Sequence, residues 1–155
     1  MKIVFILSLL LVACSNNSWR EIEIDRADIA VVIPIDMEIK EKYSKLPIGL
    51  DLTRVSSRKT EGYSLNVDVL IYPDTESAAL GAQDQAPIKG TLIKKGKYTI
   101  SGHQAILQIV ERDSMALEFY KLIVDKRFIV IGFAYSIGQR PDAILDPILL
   151  GISIR

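Results

Sequence analysis

Apolar side chains recur at every second position along much of this chain, the period of a strand that buries one face. The clearest case runs from Tyr63 to Tyr72, where Tyr63, Leu65, Val67, Val69 and Ile71 face one way and Ser64, Asn66 and Asp68 the other. Ile22 and Ile24 alternate with Glu21, Glu23 and Asp25, Ile29 to Ile33 is a short apolar run stopped by Pro34, and Leu50 to Ser56 forms a further strand-like segment. Late in the chain come three hydrophobic runs, His103 to Glu111, Met115 to Val124 and Arg127 to Tyr135, parted only by Arg112-Asp113-Ser114 and Asp125-Lys126. Gaps this short force antiparallel neighbours, so a three-strand meander is expected. Within the last run, Phe128 to Ala134 shows no alternation. It should therefore be a central strand covered on both faces.

Other stretches break the period. Asp36 to Lys45 is charged, with Met37 and Ile39 too close for a helical stripe, and reads as an irregular or one-turn helical link. Gly90 to Ile100 reads as a hairpin turning at Lys95-Gly96, within the basic cluster Lys94-Lys95-Gly96-Lys97. Helix formers from Ser77 to Asp84 follow Asp74 and Thr75, either of which can cap; Gly81 weakens this helix and Pro87 ends it. From Pro141 to Ile154, Ile144, Leu145, Ile148, Leu149 and Ile152 recur at three and four residues and make one apolar helical stripe. Pro147 either kinks a helix begun at Asp142 or takes the first helical position behind Asp146 as cap; the second, two-turn reading is preferred. The expected class is α+β: an antiparallel sheet with a short middle helix and a C-terminal helix packed on it.

The amino-terminal pattern is different in kind. Lys2 precedes ten residues, Ile3 to Val12, that are apolar except for Ser8, and Ala13-Cys14 follows. A membrane-crossing helix needs about 20 apolar residues, whereas the apolar region of an export signal needs only about 7–15. Leu11-Val12-Ala13-Cys14 resembles the lipobox of bacterial lipoproteins. That resemblance implies a diacylglyceryl thioether on Cys14, cleavage before it and acylation, such as with palmitate, of the new amino terminus. Residues 1–13 are then a signal peptide, 14–18 a lipidated tether and 19–155 a single domain of the cell envelope. Several acyl chains make membrane anchoring effectively stable. Ser15 stands where an aspartate signals inner-membrane retention in enterobacterial lipoproteins, so outer-membrane sorting, with the domain in the periplasm, is favoured. Asn16-Asn17-Ser18 also matches a glycosylation sequon but reads here as a polar spacer.

Composition narrows the function. The 155 residues carry 19 Lys plus Arg against 19 Asp plus Glu. Without residues 1–13, which contain one charge, Lys2, the balance is 18 − 19 = −1. No broad basic field for nucleic acid follows from such a count. Cys14 is the sole cysteine, so no disulfide can form within the chain and its core must hold it. His103 is the sole histidine, which leaves zinc and Cys-His chemistries short of ligands. No Gly-x-Ser-x-Gly elbow accompanies it. Asp25 with Asp28, and Glu111 with Asp113, sit at expected strand ends and turns, where solvated carboxylates are the rule. Gly90, Gly96 and Gly102 read as turn glycines, since no helix follows to make a phosphate cradle. No catalytic, metal or cofactor residue is assigned, and an enzyme is not expected.

A second resemblance covers most of residues 19–155. A strand ending in proline (Ile29-Ala30-Val31-Val32-Ile33-Pro34) leads to a Gly-x-x-Ala opening of a strand (Gly102-His103-Gln104-Ala105). The meander and a closing apolar helix ending in Ser153-Ile154-Arg155 follow. This order resembles the PsbP-like α/β/α sandwich, which includes DcrB-type envelope lipoproteins. Such folds serve as non-enzymatic accessory subunits in photosystem II and as a GTPase-binding nuclear import factor, and no residue role carries over. The resulting expectation is a membrane-anchored accessory or interaction module with an envelope protein as partner. The alternative is a small-ligand or lipid-binding lipoprotein with a pocket between helix and sheet.

Overall fold

The computed structural model describes residues 18–46, 50–58, 62–85 and 87–155. Cys14 and the segment 1–17 lie outside them. Among the described residues ten strands and two α-helices follow in the order β1 (Trp19–Ile24), β2 (Ile29–Pro34), β3 (Glu38–Lys45), β4 (Asp51–Arg58), β5 (Tyr63–Ile71), α1 (Thr75–Gln83), β6 (Thr91–Ile100), β7 (His103–Arg112), β8 (Met115–Val124), β9 (Arg127–Ser136), α2 (Asp142–Leu150) and β10 (Ser153–Ile154). The class is α+β, with every strand pair antiparallel.

Seven strands form the main sheet in the order β3-β4-β5-β9-β8-β7-β6, which puts β9 in the middle. Its unbroken apolar run is thereby explained. Ile129, Ile131, Phe133 and Tyr135 enter the large core on one face, and Phe128 is buried on the other. Above the first face lie a second sheet, β1-β2-β10, and α2; Ile29, Val31, Ile33, Leu145, Ile148 and Leu149 close the core from that side. On the opposite face α1 packs across β8 and β9 with Ala78 fully buried. Asp74 caps this helix, its carboxylate accepting from the Ser77 N–H at 2.7 Å, and the capping bond holds its pKa below the usual carboxylate value.

The meander has four strands, not three. Three tight turns join them; two pair residues of positive φ, Ser101 (50°) with Gly102 (78°) and Asp113 (50°) with Ser114 (63°), and the third has Asp125 alone at 53°. Paired positive φ values match the right-handed twist of the flanking strands. Here the expected hairpin at Lys95-Gly96 fails. β6 runs straight through both residues, paired with β7 from Thr91 opposite Glu111 to Ile100 opposite His103, with one bulge between Leu92 and Lys94. Lysines on an edge strand mimic a turn in sequence and guard against unwanted pairing in the fold.

Asp36 to Lys45 is likewise corrected from a link to a strand. β3 pairs along its whole length with β4, from Glu38 opposite Arg58 to Lys45 opposite Asp51. As the other edge of the sheet it stays largely exposed, so its sequence lacks the apolar alternation that marks a half-buried strand. Pro147 lies inside α2, which begins at Asp142, so the helix starts where the first reading put it and not behind Asp146 as the preferred two-turn reading had it. The helix stops at Leu150, and Ser153-Ile154 leaves it to pair with Ala30 and Ile29 of β2. Gly151 permits that exit. A Cβ there would come 2.7 Å from the Cβ of Val32.

At the base of the sheets, Arg127 ties the two layers. Its guanidinium donates to the carbonyls of Ala27 at 2.5 Å and Arg155 at 2.6 Å, and is almost fully buried. Because Val32 is held in a strand and cannot retreat, Gly151→Ala should cost about 1–3 kcal/mol, read as a lowered denaturation midpoint in urea.

Candidate functional site

Strand β8 alternates Ala116, Glu118, Tyr120, Leu122 and Val124 into the main core. A carboxylate in that register must find partners, because an unpaired buried charge is prohibitively costly. Glu118 is 1 % exposed. Its partners arrive from three elements. Tyr120, two residues along the same strand, donates its hydroxyl to Oε1, and Tyr135 of β9 donates to Oε2 at 2.6 Å. Arg140, in the turn before α2, grips both oxygens, Nε to Oε2 at 2.9 Å and Nη2 to Oε1 at 2.9 Å.

The remaining face of that guanidinium is also occupied. Nη1 donates to Asp142 Oδ1 and, at 2.8 Å, to Asp146 Oδ1 of α2. Burial raises the pKa of Glu118, but the hydrogen bonds from Arg140, Tyr120 and Tyr135 outweigh it and the net position is below the usual value. Burial first, and then the carboxylate they serve, push both tyrosine hydroxyls well above the ordinary phenol range. Hydrogen bonding to Glu118 raises Arg140 in turn. Each group is fixed in the protonation state the network needs. With both oxygens of Glu118 doubly engaged, the cluster is equipped to lock α2 onto the sheet and not to exchange protons with a substrate.

The sheet face that carries α1 is only partly covered. Beyond the helix, a trough of about 880 Å³ opens over β3, β4, β5, β8 and β9. Its floor is small and polar, formed by Ser56, Ser64, Asn66, Ala134 and Ser136, with Lys40 and Met115 among the other residues lining it. Such a surface offers hydroxyl and amide contacts alongside apolar area of similar extent.

The residues weighed from sequence are not brought together. Asp25 and Asp28 flank a 3-10 turn between β1 and β2, both exposed. Glu111 and Asp113 stand at the β7–β8 turn, where Asp113 approaches Arg112 at 3.7 Å. His103 opens β7 directly after the Ser101-Gly102 turn. Gly90 and Gly102 take positive φ, whereas Gly96 lies inside β6. Among the described residues no group of three or more His, Cys, Asp or Glu side chains is placed to hold a metal ion, and no helix is long and apolar enough to cross a membrane.

The Glu118–Arg140 cluster was missed in the sequence, although a lone carboxylate in the inward register of an apolar strand is a usable signal. No family model matches the chain, and neither a curated protein nor a solved structure matches it.

Glu118→Gln leaves Arg140 half-paired over the core and should destabilise the domain by about 3 kcal/mol at neutral pH. Since the folded state lowers the pKa of Glu118, its contribution is complete above the unfolded carboxylate value and fades as pH falls through the lower folded value. The gap between the wild-type and Gln variants in thermal midpoint should therefore be widest near neutrality and close on acidification.

Proposed function

We propose that this chain is a lipid-anchored lipoprotein of the bacterial cell envelope, its α+β domain serving there as a non-catalytic accessory or interaction module of the PsbP-like, DcrB type. The observation that carries the reading is Leu11-Val12-Ala13-Cys14 behind a ten-residue apolar run. A thioether needs a sulfur nucleophile, and the chain has one cysteine, at the position that the lipobox requires. Four residues separate Cys14 from Trp19, where β1 begins. At about 3.3–3.6 Å per residue such a tether reaches less than roughly 20 Å, so the domain rides close to the lipid. Ser15 favours the outer membrane.

Support for the sandwich comes from helices on both faces of one antiparallel sheet, and from the positions of two of the quoted segments: β2 ends at Pro34 and Gly102-His103-Gln104-Ala105 opens β7; the apolar helix follows the meander, but Ser153-Ile154 lies beyond it in β10. Support for a binding role comes from chemistry. The most buried carboxylate among the described residues, Glu118, is spent on a structural lock, while the broad, open trough is shaped for a surface and not for an enclosed substrate. An envelope protein seated on that trough is the expected partner.

Cys14→Ser should abolish incorporation of labelled palmitate and signal removal while leaving the thermal midpoint of the domain unchanged; equal labelling of the variant would refute the anchor. In intact cells, a photocrosslinking residue at Asn66 should capture one dominant envelope protein, and no adduct above that from a position on β6 would count against the trough.

A further inference from the structure

A second hollow, of about 370 Å³, lies on the helix-bearing face of the sheet at the other side of α1. Its floor is β7, with Ile106, Gln108 and Val110; Leu92 and Lys95 of β6 stand on one side and Lys121 of β8 on the other. The segment leaving α1 overhangs it with Pro87 and Ile88. Volume and shape suit a small molecule, since ligand sites hold about 300–1,000 Å³.

Two features of this groove are unsettled in the free protein. Two of its apolar residues remain wet: Leu92 is 54 % and Ile106 49 % exposed, and Ile123, nearby on β8, is 38 % exposed. Its cations also lack partners. Neither Lys95 nor Lys121 makes an ion pair among the described residues, and register places them on either side of β7, Lys95 opposite Gln108 and Lys121 opposite Ile106. Burial and then the charge of Lys95 depress the pKa of Lys121. A ligand that quiets both features needs a negative head and an apolar body.

We infer that this groove binds one single-chain anionic amphiphile, its carboxylate or phosphate head held between Lys95 and Lys121 and its chain lying over Leu92 and Ile106 beneath Pro87 and Ile88. A flat bilayer cannot enter a walled groove, and a protein surface would have to present an acidic group on an apolar finger to match it. The site does not rest on the anchor at Cys14: it is built wholly from residues 82–121.

The test uses the full chain with neutral phosphatidylcholine vesicles and three photoactivatable probes of equal length, a fatty acid, an alkyl phosphate and an alcohol. Either or both anionic probes should label peptides containing residues 87–110 or 117–123 about tenfold more than the alcohol does, the scale of a charge-assisted contact. A Lys95→Gln/Lys121→Gln variant with an unchanged thermal midpoint should lose that excess, and the Cys14→Ser chain should keep it. Equal labelling by the alcohol, an excess that survives the double substitution, or anionic labelling confined to other segments would overturn the assignment. The Cys14→Ser arm keeps a failure here separate from a failure of the anchor.

Discussion

One constraint organises this molecule: β9 carries apolar side chains on both faces, so neither face of the sheet can be left to water along it. A strand of that kind must sit inside its sheet and inside a stack of layers. Its place at the middle of seven strands satisfies the first demand. The second is met unevenly. A second sheet and α2 cover the core side of the central strands, while α1, nine residues long, packs across β8 and β9 on the other. The two hollows flanking α1 are what a short helix leaves on a wide sheet.

Apolar contact supplies the attraction between layers, but it is non-directional. Charged groups give the direction. Arg127 at the start of β9 reaches the carbonyls of Ala27 and Arg155, and Arg140 beyond its end reaches back to Glu118. One cation near each end of the central strand fixes the roof to its floor at two points, so the second layer cannot slide in register. Buried ion pairs contribute little net stability on average, and positional specificity is their better-attested use.

How much of this was legible in the sequence depended on burial. β5 and β7 to β9 were read correctly because their side chains alternate or fill a core, and Asp74 was read as one of two possible caps. β3 and β6 were not, because an edge strand with exposed faces is written in lysines, glutamates and threonines that resemble a linker or a turn. Pro147 was read as a helix start because proline costs least there, whereas packing of Leu145, Ile148 and Leu149 outweighs the bond it removes from α2. The Glu118 cluster joins residues 22 positions apart. Spacing alone does not announce such a pair; only the inward register of Glu118 among apolar neighbours hints at it.

β10 consists of two residues, yet its pairing of Ile154 with Ile29 brings together nearly the two extremes of the domain. The roof is therefore completed by a contact between residues far apart in sequence, and closing so long a loop is entropically slow. The floor, whose neighbouring strands are mostly joined by tight turns, should therefore form ahead of the roof that β10 completes.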